Sequence, residues 1–74
     1  MKLACALREI RGDRSLRDVA ETAGVNRGLL SDLERGRRLA PDRIVRALEV
    51  AYGQPAHAWY PPEVLLVIQR DEEA

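Results

Sequence analysis

The most chemically versatile residues of this 74-residue chain are its arginines, and they concentrate in one stretch. Arg27, Arg35, Arg37 and Arg38 lie close together, Arg17 stands just upstream, and Asn26, Gly28, Ser31 and Asp32 are interspersed. A guanidinium binds phosphates and the O6/N7 edge of guanine in bidentate fashion, and a carboxylate such as Asp32 can accept from a cytosine amino group. Little else in the chain is reactive. Cys5 has no second cysteine to bridge to and reads as a small apolar residue of a first helix. His57 has neither Cys nor carboxylates at ligand spacing. There is no nucleophile–base–acid set, metal constellation or phosphate loop, so the expectation is a protein that is not an enzyme and carries no metal or cofactor.

The formal net charge is zero, which argues at first against a polyanionic partner. Its distribution argues the other way. Through Arg46 the chain carries eleven basic residues against seven acidic, a net of +4. From Ala47 onward it carries one against five, a net of −4. Such asymmetry fits a basic binding face and an acidic end turned elsewhere. The length allows a single core, of a size usually worth only ~3–5 kcal/mol, and domains this small often gain stability by oligomerising. No signal-peptide pattern is present, and the longest apolar run, Val64 to Ile68, is far too short to span a bilayer, so a cytoplasmic protein without membrane contact is expected.

The elements that would position the arginines are read from caps and periodicity. Lys2 to Arg11 predicts a helix with Leu3, Leu7 and Ile10 on one stripe, stopped by Gly12 and Asp13. Ser15 is a good N-cap with Asp18 three residues on, and Val19, Ala20 and Ala23 fall on one face of a second helix ended by Gly24. Val25 can plug inward. Asn26 caps a third helix, to about Arg35, in which Leu30 and Leu33 face the core and Leu29 is partly exposed; Gly36 closes it. The small Ala20, the Gly24 turn and the inward Val25 let two helices cross closely, which is the logic of a helix-turn-helix.

From Ser15 to Gly36 the chain resembles the phage-repressor-like (Cro/repressor, XRE-type) family, and more loosely from about Leu3 to about Gly53. The shared features are the capped S-x-x-x-V-A start, the A-G-V turn, the polar cap Asn26, the apolar Leu30 and Leu33, and the closing Glu34-Arg35-Gly36. The resemblance implies an all-α, five-helix domain that binds double-stranded DNA as a small transcriptional repressor, with its third helix in the major groove. By resemblance Arg27, Gly28 and Asp32 occupy base-reading positions. Arg17, Asn26, Ser31, Arg35, Arg37 and Arg38 complete the expected DNA-contacting set. Asp32 has two readings, an acceptor for cytosine or an ion-pair partner of Arg35 or another arginine. Glu34 is expected to bond Arg8 or Arg11 rather than DNA. Leu16 departs from the family, which often has a phosphate-holding Gln there; Arg17 or backbone amides are the expected substitutes.

Pro41 and Asp42 start a fourth helix with Asp42 as cap, and Ile44, Val45, Leu48, Ala51 and Tyr52 form its inward stripe. Gln54 to Tyr60 reads as a short fifth helix opened by Pro55, with Trp59 and Tyr60 closing the core. Glu63 to Arg70 suits a two-sided buried strand or a helix, and helix is preferred because prolines are tolerated in a first turn. Residues 1–60 are thus expected to form the DNA-binding domain and 61–74 an extension for dimerisation. Trp59, Tyr60, Val64, Leu65, Val67 and Ile68 are the expected interface of a homodimer on a palindromic operator. The alternative is an antitoxin-type or other protein-interaction module on the same fold, binding a toxin or another protein through the C-terminal segment.

Overall fold

Capping signals in the sequence translate almost directly into helix ends. The computed structural model describes residues 5–73, with side chains through residue 68. Its helices are α1 (Leu7–Arg11), α2 (Leu16–Ala23), α3 (Arg27–Glu34), α4 (Asp42–Tyr52) and α5 (Pro62–Glu73), with a 3₁₀ turn at Ala56–Ala58; the described residues contain no strand. Ser15 caps α2, its Oγ accepting from the Asp18 amide at 3.0 Å, an interaction typically worth ~1 kcal/mol. Gly24 then takes a left-handed conformation, φ 73°, that a side chain would strain, and the Val25 amide turns back to the Ala20 carbonyl at 3.0 Å. Asn26 immediately caps α3, its Oδ1 accepting from the Leu29 amide at 2.7 Å. Gly36, at φ 72°, repeats the first ending: the Arg37 amide reaches the Asp32 carbonyl at 2.9 Å.

Helices of eight residues are not stable alone, so their geometry is set by what they bury. α2 packs on both α3 and α4, and α1 packs across α3 and α4. The core they enclose contains Leu7, Val19, Ala20, Leu30, Leu33, Ala40, Val45, Leu48, Ala51 and Tyr52. Trp59, Tyr60, Val64 and Ile68 extend the same core beneath α5. The Glu49 carboxylate accepts from the Ala56 amide at 2.7 Å and fixes the 3₁₀ turn to α4. The Ala6 amide donates to the Trp59 carbonyl at 3.0 Å, tying the chain before α1 to the C-terminal part.

The structure departs from the sequence reading in four places. The first helix begins at Leu7: Cys5 and Ala6 precede it, with Cys5 half-buried against the core, and the expected start at Lys2 with its Leu3 lies outside the described residues. Asp42 does not cap α4. Pro41 holds that place in extended backbone and its carbonyl accepts the Val45 amide, while Asp42 is the first helical residue and pairs with Arg46 one turn on at 3.0 Å. The segment after Gly53 forms one 3₁₀ turn rather than a helix, and the fifth α-helix is the segment from Pro62. Of the six residues assigned to a dimer interface, Trp59, Tyr60, Val64 and Ile68 are buried in the protomer's own core. A helix there lets one side fold back on the core, so the apolar surface it leaves outward is Leu66 and Val67, 58% and 45% exposed, with Leu65 half-buried.

One polar cluster holds three helices in register. The Glu34 carboxylate, 5% exposed, receives the Arg11 guanidinium at both oxygens, Nε at 2.7 Å and Nη2 at 3.2 Å, and the Tyr52 hydroxyl at 2.8 Å. Arg11 Nη1 also donates to the Arg14 carbonyl at 2.8 Å. Arg14 in turn donates to the Ala51 carbonyl at 2.8 Å and lies over the Tyr52 ring at 5.6 Å. The base of α3 is thereby bonded to α1 and α4. Removing one member of a largely buried pair leaves an uncompensated charge, whereas removing both can be close to neutral. Arg11→Met alone is therefore expected to lower stability by about 3 kcal/mol, and Arg11→Met with Glu34→Leu by clearly less than the two single losses combined. A urea-denaturation double-mutant cycle measures this; simple additivity would refute the coupling.

The two buried tyrosines make stability sensitive to alkali. Burial pushes the Tyr60 hydroxyl up to about 12, and burial together with its hydrogen bond to Glu34 pushes Tyr52 well above the usual range. A phenol is charged only when deprotonated, so the unfolded chain, titrating near 10, releases its protons first. The contribution of both groups is complete below about pH 10; that of Tyr60 is lost as pH rises toward about 12, and that of Tyr52, held up further, is lost at higher pH. Denaturant midpoints measured between pH 8 and 12 should fall above pH 10, and Tyr60→Phe should flatten that fall even though it lowers the midpoint at pH 8.

Candidate nucleic-acid interface

The third helix divides cleanly into an inner and an outer side. Leu30 and Leu33 are fully buried, and Leu29 rests half-buried against them. Helical spacing then turns Arg27, Gly28, Ser31 and Asp32 outward on one face, with Arg35 at the helix end. Arg27, Gly28 and Arg35 are exposed, and Ser31 and Asp32 are half-buried at the edge of the face. Asn26 is exposed too, but its carbonyl oxygen is committed to the cap, which leaves its NH₂ for a ligand. A Cβ on Gly28 would meet only Asn26 Oδ1, at 3.4 Å, an ordinary van der Waals contact. The fold therefore does not demand glycine there; what glycine supplies is an uncovered stretch of helix backbone, at a cost of up to ~1 kcal/mol relative to Ala.

The surrounding charges are only lightly engaged. Arg17 pairs with Glu21 along α2 at 3.4 Å, with both side chains exposed, an arrangement worth a few tenths of a kcal/mol. Asp32 pairs with Arg37 rather than Arg35, at 3.9 Å, the outer limit of an ion pair. Arg38 is exposed in the loop after α3. Leu16 is half-buried against the core and offers no hydrogen bond, although the first amides of α2 beside it are unspent by helix geometry. Glu34 is bound to Arg11, one of the two partners expected from the sequence, and is unavailable to an outside ligand.

Of the residues anticipated from the sequence, Arg27, Gly28, Ser31 and Asp32 share the outer face of α3, while Arg17 on α2 and Arg35, Arg37 and Arg38 after α3 are exposed beside their own elements. The sequence reading missed Arg14 as a structural residue, because its partners, the Ala51 carbonyl and the Tyr52 ring, are distant in the chain. It also missed Arg8 as a surface cation near α3, treating it only as an alternative partner for Glu34. Away from this face, Leu39, Glu63, Val64 and Val67 line an almost wholly apolar recess of about 250 Å³ between the loop after α3 and α5. Among the described residues no three His, Cys, Asp or Glu side chains are placed to hold a metal ion, and no helix is long and apolar enough to cross a membrane.

With this geometry in hand, similarity to other proteins is informative. A family described as "Helix-turn-helix domain" matches residues 2–58. The chain is 42% identical over 59 residues to the "HTH-type transcriptional regulator DdrOP3" of Deinococcus deserti, a match covering 77% of this chain and 46% of the relative. The chain thus spans about half the length of that relative. No solved structure matches the chain at a significant level. The family match over most of the chain, on a fold whose α2 and α3 are joined by the Gly24–Asn26 turn, shows that this chain belongs to the helix-turn-helix domain family.

Proposed function

We propose that this domain binds double-stranded DNA in a sequence-specific manner and represses transcription by occupying a promoter, in the style of a small Cro-like or autoregulatory repressor of the XRE type. The observation that carries this is the outer face of α3. It is firmly capped, anchored at its base through Glu34, and presents Arg27, the bare backbone of Gly28, Ser31 and Asp32 together. Arg27, near the N-terminal end, bonds a guanine edge; Asp32, when it leaves Arg37, accepts from a cytosine amino group. Arg17, the NH₂ of Asn26, Arg35, Arg37 and Arg38 hold flanking phosphates and fix the register. The excess of basic residues before Ala47 supplies the long-range attraction that the zero net charge conceals.

The relative from Deinococcus deserti is named a transcriptional regulator, which supports the same reading for this chain. The second part of the reading is a homodimer. The division of labour is residues 1–60 for DNA and 61–74 for pairing. Leu65, Leu66 and Val67 are the available pairing surface, next to the recess at Leu39, and a second copy would cover them and space two α3 helices for a palindromic site.

In fluorescence-anisotropy titrations across a salt series, the chain should bind a duplex enriched by in vitro selection much more tightly than a scrambled one, with affinity falling steeply as salt rises. Arg27→Ala should cost about 1–3 kcal/mol on the enriched duplex and reduce the discrimination between the two. Equal affinity of the wild-type protein for both duplexes would refute sequence-specific recognition. Leu66→Asp with Val67→Asp should turn a dimer into a monomer in analytical ultracentrifugation at an unchanged helical content. A wild-type chain that is monomeric at high micromolar concentration would remove the dimer and assign the apolar strip to a different protein, as in an antitoxin-type module.

A further inference from the structure

Folding gives no reason for a glycine at position 28. The positive φ values of the described residues belong to Gly12, Gly24, Gly36 and Gly53, so Gly28 holds a backbone conformation open to any residue. A Cβ there would meet only Asn26 Oδ1, at 3.4 Å, so no neighbour crowds a side chain out. Inside a helix glycine is the poorest residue after proline. Yet it stands exposed as the second residue of α3, after Arg27 and with Ser31 and Asp32 three and four positions on. Side chains on a helix lean toward its N-terminus, so Ser31 and Asp32 lean over the turn that holds Gly28. The glycine therefore leaves a notch the depth of a methyl group, rimmed by polar side chains.

Backbone N–H and C=O groups run along a helix axis, so what faces outward at Gly28 is its Cα. The floor of the notch is carbon and offers no hydrogen bond to a base edge. The group that fits it is apolar and methyl-sized. The major groove displays one such group, the methyl at C5 of a pyrimidine, carried by thymine and by 5-methylcytosine. Seated in the notch, that methyl leaves water and gains close contact with the helix backbone. We propose that Gly28 is a specificity-determining residue whose notch receives the C5 methyl of one pyrimidine in the bound sequence. The inference rests on the DNA-binding reading above and names the group that the bare turn of α3 selects. A Cβ at position 28 would occupy the place of that methyl. Helix stability is thereby exchanged for discrimination between a methylated and an unmethylated pyrimidine.

The test removes a methyl from the DNA and adds one to the protein. The full chain and its Gly28→Ala variant are titrated by fluorescence anisotropy against the duplex enriched by selection. In that duplex each thymine in turn is replaced by uracil, and each cytosine in turn by 5-methylcytosine. Gly28→Ala should raise the urea midpoint, since alanine suits a helix, so weaker binding by it is not a loss of fold. At one thymine, uracil should weaken the wild-type protein several-fold. Gly28→Ala should bind the thymine duplex several-fold more weakly than wild type and recover on uracil at that same position, because the two methyl groups claim one space. Tighter wild-type binding on methylation of one cytosine, absent in Gly28→Ala, would support the notch with 5-methylcytosine as the source of the methyl. Equal responses of the two proteins at every thymine and cytosine overturn the notch, while Arg27→Ala still reports on base reading. A wild-type protein that binds neither the enriched nor the scrambled duplex at low salt overturns the DNA reading and the notch with it.

Discussion

The orientation of α3 depends on one carboxylate. Glu34 lies in the last turn of that helix, and its oxygens are filled from α1 by Arg11 and from α4 by Tyr52. Apolar contacts alone leave an eight-residue helix some freedom to slide and roll, because dispersion and burial change little with small shifts. Hydrogen bonds to a buried charge do not, since a small displacement leaves part of the charge unsatisfied. The net stabilisation from such a pair is modest once its desolvation is counted. Its effect is on position. Arg14 extends the cluster to the end of α4, so the loop before α2 is held in the same frame.

This arrangement explains how so small a domain can present an outer face that contributes little to folding. Leu30 and Leu33 supply nearly all the inward burial of α3, and the two ends are closed by Asn26 and Gly36. Arg27, Gly28, Ser31 and Asp32 are then released from structural duty, and Gly28 even weakens the helix. A helix so composed would not persist without α2 and α4 beneath it. The residues that make α3 poor as an isolated helix are those that make its surface available to a ligand.

What could be read in the sequence follows from how local the physics is. Ser15, Gly24 and Asn26 announce helix ends through hydrogen bonds that span three to five residues, and each is found where its type predicts. Asp42 fails because two neighbours competed for one cap, and Pro41, with its backbone already extended, takes it without a side-chain bond. The nature of the segment from Pro62 could not be settled from Val64 to Ile68, since five successive apolar residues satisfy a buried strand and a helix equally. Only the packing of Val64 and Ile68 on the core, with Leu66 and Val67 left outward, separates the two. Likewise the positions of the arginines on α3 were legible from helical periodicity. Arg8 was not, because its place at a recess shared with Ser31 and Arg35 arises from the packing of α1 on α3.

Charge follows the same layering. Helices α1 to α3 and the loop after them carry most of the arginines, while the acidic residues beyond Ala47 include Glu49, which is spent on capping the 3₁₀ turn, and Glu63 at the start of α5. Under the proposed function this separation has a physical purpose. A polyanion is attracted by the arginine-rich part of the chain, so the excess of basic residues before Ala47 favours encounter in spite of the zero net charge. Zero net charge thus conceals an excess of basic residues in the part of the chain that carries α1 to α3, balanced by acidic residues beyond Ala47.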